Sequence, residues 1–164
     1  MRIIGIDPGT LALGYGMIDE ASGELTHVDC GALIAPTGMP MAERLYNMYT
    51  GLRDVIARFE PEEAAIEEPF VAKNARSALA VGQAIGAVTV AIAERGIPLH
   101  RYTPAQVKQA VTSYGRSDKE QVADMVCILL GLPEPPRSSD AADALAVAIC
   151  HVQAKFLASL EADN

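Results

Sequence analysis

The stretch RIIGIDPGT, Arg2–Thr10, decides the fold, because it joins a buried strand to a carboxylate and a sharp turn. The apolar residues Ile3, Ile4 and Ile6 are typical of a strand in the core of a sheet. Asp7 ends this run, and the Pro-Gly pair that follows predicts a turn. A carboxylate beside apolar surface is costly unless a positive charge neutralises it. Asp7 is therefore the first candidate for a functional residue.

The rest of the chain alternates strand-like and helix-like segments, which indicates an α/β fold. LGYGMIDE and ELTHVDCGALIA are predicted as the second and third strands, and a short glycine-containing turn between them predicts an antiparallel meander. The later predicted elements are a helix over Met41–Phe59, a strand over Ala64–Glu67, a helix from Asn74 to Arg95, a strand over Ile97–Thr103, and helical segments beginning at Pro104, near Ser117 and near Ser139. The predicted architecture is a mixed five-stranded sheet with helices on both faces, in the order βββαβαβαα.

The 164 residues, half of them apolar, are enough for one domain with a sizeable core. We expect this domain to span 1–155 and residues 156–164 to form a frayed tail. No secretory signal follows Met1, and the three cysteines are dispersed, so a cytoplasmic protein with reduced thiols is expected. The apolar segment Ala78–Ala93 is short for a membrane span. It is predicted to lie in the core or at a subunit interface, where Gly82 and Gly86 share one face.

The charge is unevenly divided along the chain. The net charge of −8 and the pI of about 4.8 argue against a nucleic-acid ligand when taken alone. However, the segment from Phe70 to Lys119, called the basic segment below, carries a net charge of +5, which leaves −13 for the remainder. A protein with such a divided field can still bind DNA.

Four acids stand at the ends of apolar elements, namely Asp7, Glu67, Asp140 and Asp143. If they converge, they repel one another unless divalent cations are bound, which is the arrangement of two-metal phosphoryl chemistry. Mg²⁺ prefers such oxygen ligands. Each acid also has an ordinary explanation: a turn residue, part of an acidic surface with its neighbours, a helix N-cap or a first-turn acid. The neighbours that suggest an acidic surface around Glu67 are Glu60, Glu62, Glu63 and Glu68.

The motifs taken together resemble the RuvC family of bacterial Holliday-junction resolvases. They are GIDPGT with GYG, AIEEPF with AKNARSA, QVKQAV, SDKEQV and DAADALAVA, and they extend from Ile3 to His151. The resemblance implies an RNase H-like (retroviral integrase-like) fold. It also implies a crossover junction endodeoxyribonuclease that acts in recombination and repair by paired symmetric nicks, leaving 5′-phosphate and 3′-hydroxyl ends.

The resemblance also assigns residues to the reaction. Asp7, Glu67, Asp140 and Asp143 match the family's metal ligands, although some relatives carry histidine where this chain has Asp140. The implied cofactor is a pair of Mg²⁺ ions per site, with Mn²⁺ able to substitute. Lys108 and Lys119 match basic residues at or near the site, where a lysine holds phosphate or offsets developing charge. Glu68 is expected to point to the other side of its strand.

The remaining expectations concern binding. Phe70 is expected to stack on an unpaired base at the junction, and further DNA contacts are expected from Lys73, Asn74, Arg76 and Arg116. The resemblance implies a homodimer, a four-way DNA junction as ligand, and a branch-migration motor complex (RuvA and RuvB) as partner.

Three other functions remain open from the sequence. Another RNase H-like nuclease, acting on RNA–DNA hybrids or other branched DNA, would share the four acids. An actin-like ATPase or sugar kinase would need a second, duplicated domain that the chain lacks. A non-catalytic DNA-binding or scaffold protein would be expected to have lost at least one acid.

Overall fold

Five strands form one mixed sheet in the computed structural model of the chain, which describes residues 1–68, 74–113 and 118–162. The strands are β1 Arg2–Pro8, β2 Ala12–Ala21, β3 Glu24–Ile34, β4 Glu63–Glu67 and β5 Leu99–Tyr102. The helices are α1 Met41–Phe59, α2 Ala75–Ala93, α3 Pro104–Thr112, α4 Lys119–Leu130 and α5 Ser139–Ala162.

The order of the strands in the sheet is β3-β2-β1-β4-β5. The first three strands pair antiparallel, whereas β4 joins β1 and β5 joins β4 in parallel. Each parallel strand follows a helical crossover, as parallel pairing requires. The predicted fold class and the predicted meander are confirmed.

Three helices follow β5, one more than the predicted order contains. The additional element arises because α3 and α4 each have their own N-terminal capping box. Thr103 caps α3 with Gln106, and Asp118 caps α4 with Gln121. A capping box satisfies free amide groups at a helix start, so each of these segments begins a helix of its own.

The two faces of the sheet bury separate cores because strand side chains alternate between faces. Ile4 and Ile6 of β1 pack in a cluster with residues of α1 and α2. Ile3 and Ala65 pack in the other cluster, with residues of α3, α4 and α5. Helices therefore cover both faces, as predicted.

Three glycines let α5 contact the backbone of the sheet directly. Gly5 and Gly16 are paired across β1 and β2, and Gly14 is the partner of Asp7. A Cβ atom on Gly5 would lie 2.1 Å from the carbonyl oxygen of Ala144, and one on Gly14 would lie 2.0 Å from that of Asp140. Only glycine permits so close an approach, so these three positions, called the glycine strip below, set the height of α5 above the sheet.

The last helix is longer than predicted, since α5 continues from Ser139 through Ala162 instead of ending near Phe156. Near its end the apolar side chains of Phe156, Leu157 and Leu160 are exposed. The division of the chain at residue 155 stays a prediction.

Two helices, α2 and α5, have the length and composition of a membrane span. By themselves these properties are weak evidence, because a core helix shares them. In α5, 56% of the most apolar 18-residue stretch is buried against the rest of the fold, whereas in the corresponding stretch of α2 the buried share is 22%. The outer face of α2 is thus an apolar surface that the described residues leave largely uncovered.

Replacing a glycine of the strip tests the close approach of α5. Gly5→Ala places its new methyl group against the α5 backbone, which cannot rotate away, and overpacking of this kind costs about 3 kcal/mol or more of unfolding free energy. Gly51→Ala is the matched control, because its methyl group meets only the side-chain tips of Leu33 at 3.0 Å and 3.1 Å. We expect denaturant unfolding to place Gly51→Ala within about 1 kcal/mol of the parent, and equal losses for the two variants would contradict the interpretation.

Candidate active site

The sheet brings Asp7 and Glu67 to the same face, at the C-terminal ends of two strands. Asp7 is the penultimate residue of β1 and Glu67 the last of β4, and these strands are adjacent and parallel with Gly5 opposite Ala65 and Ile6 opposite Ile66. Both acids therefore point toward α5, the side on which Gly5 contacts Ala144 and Ala148. Glu68 points the other way, as expected, and its Oε1 accepts a hydrogen bond from Arg101 Nη1 at 2.9 Å.

Three helices place further charged groups beside this pair. Asp143 comes from the first turns of α5, Lys119 begins α4 and Lys108 lies in α3. These three side chains line a cavity of about 110 Å³ together with Asp7, Glu67, Pro104, Val107 and Val122. Lys119 Nζ donates a 2.6 Å hydrogen bond to Asp143 Oδ2. Five of the six predicted catalytic residues thus lie around one cavity.

Asp140 lies at the border of this site and does not line the cavity. Its backbone carbonyl lies directly over Gly14, the strand partner of Asp7. Its Oδ2 accepts a 3.2 Å hydrogen bond from Ser138 Oγ, which also accepts one from the Asp140 amide at 3.2 Å. The negative charge of Asp140 nevertheless acts on Asp7 and Lys119.

The acids repel one another in a poorly solvated place. Burial, followed by the charges of Glu67, Asp143 and Asp140, raises the pKa of Asp7 to about 7 against the opposing effect of Lys119. Burial and Asp143 also raise the pKa of Glu67, while Lys119 and Lys108 oppose them. The hydrogen bond to Asp143 raises the pKa of Lys119. Because Lys119 binds only Asp143, its single positive charge does not neutralise the negative charges of the four acids.

The predicted DNA contacts fall into two sets. Asn74 and Arg76 are exposed at the start of α2. Asn74 is also the N-cap of that helix, where its Oδ1 accepts a 2.9 Å hydrogen bond from the Ser77 amide. The other predicted contacts lie outside the described residues; they are Phe70, Lys73 and Arg116.

A second polar cluster was not expected from the sequence. Glu63 was interpreted as part of an acidic surface, but its carboxylate lies among His100, His151, Tyr102 and Lys155. The signal available in the sequence was strand alternation, because Glu63, Ala65 and Glu67 must share one face of β4. In the described residues, Glu63, His100 and His151 form the one group of three metal-binding side chains whose donor atoms lie within 4.8 Å of one another.

Comparison with known proteins identifies the family. The profile described as "Crossover junction endodeoxyribonuclease RuvC" matches residues 3–151. The chain belongs to the RuvC family. The RuvC protein of Chloroflexus aggregans is 53% identical over 151 residues, which cover 92% of each chain. The resemblance that the motifs indicated is confirmed, and the family is one of crossover junction endodeoxyribonucleases.

Solved structures agree with this assignment to the RuvC family. The Thermus thermophilus RuvC structure determined in complex with a Holliday junction substrate is 38% identical, with a TM-score of 0.90 over 96% of each chain. The yeast mitochondrial Holliday junction resolvase is 14% identical, with a TM-score of 0.62 over 94% of this chain and 82% of that one. This second likeness concerns the fold alone.

The electrostatic strain at Asp7 predicts the pH dependence of stability without metal. Because folding raises its pKa from 3.8 to about 7, the contribution of Asp7 is fully present below pH about 4 and is lost as the pH rises through about 7. In chelator, Asp7→Asn should therefore raise the free energy of unfolding at pH 8 by up to about 4 kcal/mol and change it little at pH 4.

The control for this titration is Asp19→Asn. Arg2 binds Asp19 through two hydrogen bonds of 2.9 Å and 2.8 Å and lowers the pKa of that carboxyl. Loss of this pair should lower stability at pH 8, the opposite sign. A stabilisation by Asp7→Asn that is equal at pH 4 and pH 8 would show that charge repulsion is not its cause.

Proposed function

We propose that this chain is a metal-dependent endonuclease that resolves four-way DNA junctions by paired, symmetric nicks. The observation that carries the proposal is that Asp7, Glu67, Asp143 and two lysines line one cavity at the C-terminal ends of β1 and β4. Membership of the RuvC family supports the same activity, and the complex of the Thermus thermophilus relative with a Holliday junction supports the same substrate.

The four acids are the proposed ligands of a pair of Mg²⁺ ions. The donor set consists of carboxylate oxygens, which a hard cation prefers over nitrogen or sulfur. Burial and the neighbouring acids raise the pKa of Asp7 to about 7, and a bound cation would offset this cost of ionising its carboxyl. We assign Asp7, Glu67, Asp140 and Asp143 as the ligands, and Mn²⁺ should substitute. When bound, the two ions would activate water and stabilise the leaving oxygen of a phosphodiester.

The protein's own groups have separate tasks in this proposal. Asp7 and Glu67 lie on neighbouring strands of a rigid sheet, so their separation changes little when DNA binds. Lys119 can exchange its bond with Asp143 for one with a phosphate, because its side chain is 71% exposed. Lys108 presents a second cation at the cavity. Both lysines would offset negative charge that grows in the transition state.

The basic segment is the proposed DNA-binding surface. Arg76 and Asn74 lie exposed at its start, and Lys108 and Lys119 belong to the cavity itself. Arg101 contributes less to the field because it pairs with Glu68. The proposed contacts of Phe70, Lys73 and Arg116 stay predictions from the sequence.

Two active sites are needed to cut opposed strands of a junction, so we infer a symmetric homodimer. The proposed interface is the outer face of α2, where Leu79, Gly82, Gly86 and Val90 follow one another at helical spacing. Leu79 and Val90 are exposed, and no atom of the described residues lies within 4 Å of a Cβ atom placed on either glycine. A cytoplasmic location and a branch-migration motor of RuvA and RuvB complete the proposal.

Cleavage of a mobile four-way junction tests the activity. With Mg²⁺ or Mn²⁺, we expect paired nicks in opposed strands with 5′-phosphate ends, and no cutting of a linear duplex of the same sequence. Asp7→Asn should reduce the rate by more than about 100-fold, because loss of even an outer-shell group near a metal costs 10–100-fold. Glu68→Gln is the matched control on the same edge and should cleave at the parent rate.

Two results would reject this assignment. Equal cutting of the duplex would exclude junction selectivity, and cutting of an RNA–DNA hybrid in preference to the junction would favour the other RNase H-like activity. Undiminished activity in Asp7→Asn would exclude the proposed carboxylate site.

Analytical ultracentrifugation tests the interface. Leu79→Glu combined with Val90→Glu should convert a dimer to a monomer, because two charges would be buried without partners. Ile128→Glu is the control, since Ile128 is equally exposed but lies on α4. A dimer that survives the α2 changes would place the interface elsewhere.

A further inference from the structure

The cluster around Glu63 lies at the opposite end of the same sheet face from the candidate active site. Glu63 and Glu67 are four residues apart on β4, which corresponds to about 13 Å along a strand. His151 and Asp143 are eight residues apart on α5, about 12 Å along a helix. The cluster is therefore separate from the carboxylates assigned to DNA cleavage.

The three donor atoms are spaced for one metal ion. Glu63 Oε2 lies 2.6 Å from His151 Nε2 and 3.6 Å from His100 Nε2. Metal–ligand bonds of 2.0–2.2 Å in a tetrahedron separate their donors by about 3.3–3.6 Å. The distance to His100 agrees with this spacing, whereas His151 and Glu63, now in hydrogen-bond contact, would have to move apart by about 1 Å to admit an ion. The rings of the two histidines lie with their centroids 4.4 Å apart.

The groups behind these donors have the arrangement of an outer ligand shell. Tyr102 Oη lies 2.7 Å from His151 Nδ1, which orients the ring and leaves Nε2 toward Glu63. Lys155 Nζ donates a 2.5 Å hydrogen bond to Glu63 Oε1 and leaves Oε2 for another partner. The contact of Tyr102 is of the kind that selects the tautomer of a histidine ligand and holds its ring in place, whereas Lys155 competes with a cation for Glu63.

The cluster combines a buried anchor with an open side. His151 is fully buried, whereas the side chains of His100 and Lys155 are each 42% exposed. The exposed side chains of His100 and Lys155 leave this side of the cluster open to solvent.

We propose that Glu63, His100 and His151 form a second metal site, which binds a Zn²⁺-class transition-metal ion. Two imidazoles and one carboxylate suit Zn²⁺ better than Mg²⁺, which takes oxygen ligands. The ligands come from β4, β5 and α5. A bound ion would therefore tie the edge of the sheet to the helix that carries Asp140 and Asp143.

Lys155 distinguishes a metal site from a simple ion-pair network, because its positive charge would repel a cation bound to Glu63. If the cluster is only an ion-pair network, loss of Lys155 removes a partner of Glu63 and nothing more. If it is a metal site, loss of Lys155 removes repulsion and frees Glu63 Oε1. Lys155→Ala should then bind the metal more tightly than the parent.

The experiment measures Zn²⁺ binding in the full chain carrying Asp7→Asn and Glu67→Gln, which disable the other site. Equilibrium dialysis with excess Mg²⁺ present should give one Zn²⁺ per chain, and Co²⁺ should give the visible absorption of a four-coordinate site. His100→Phe keeps the ring against His151 but loses the donor, so affinity should fall by more than about 100-fold. Tyr102→Phe should weaken binding by about 10-fold.

The metal-free melting temperature of His100→Phe serves as the folding control and should match that of the background protein. Failure to bind one equivalent of Zn²⁺ would overturn the proposal. Unchanged affinity in His100→Phe would also overturn it, as would weaker binding in Lys155→Ala. None of these outcomes depends on DNA cleavage, so the proposed function is tested independently.

Discussion

The backbone contact between α5 and the glycine strip is the constraint on which the rest of the structure depends. Without side chains at Gly5, Gly14 and Gly16, the helix lies against β1 and β2 at backbone distance. Asp140 and Asp143 are carried on its first turns, so the same contact brings them beside Asp7. A helix held away by ordinary side chains would leave the acids on α5 too far from the acids on the strands. Core packing and the chemistry of the site therefore have one cause.

That closeness has an electrostatic cost in the absence of a ligand. Asp7 is largely buried, and burial together with the negative charges of Glu67, Asp143 and Asp140 raises its pKa to about 7. Lys119 relieves part of this repulsion through Asp143. Proteins tolerate such a loss of folding stability at functional sites, and a bound cation would offset it here. At the opposite end of the same sheet face, the negative charge of Glu63 is balanced by the protein itself, through Lys155 and contacts with two histidines.

Much of the fold was predictable because the signals are local. Alternating apolar residues, a helix-ending proline and the N-caps Asn74 and Thr103 all act within a few residues of one another. The separate helix α4 was also indicated by the sequence, since a segment beginning near Ser117 was predicted, but the predicted order βββαβαβαα contained one helix too few. The predicted end of α5 near Phe156 was too early, because no proline or glycine between Phe156 and Ala162 interrupts the helix.

The sequence by itself determined the fold class, the family and the identity of the candidate acids, because motifs and periodicity are written in the order of the residues. Only the tertiary structure decided which of those residues meet. It placed Asp7, Glu67, Asp143 and both lysines at one cavity and left Asp140 at its border. It also moved Glu63 from an expected acidic surface into contact with His151, which is 88 residues away in the chain. The physical reason is that the position of a side chain across a sheet depends on strand register and on the height of the helix above it, and both are set by contacts between distant segments.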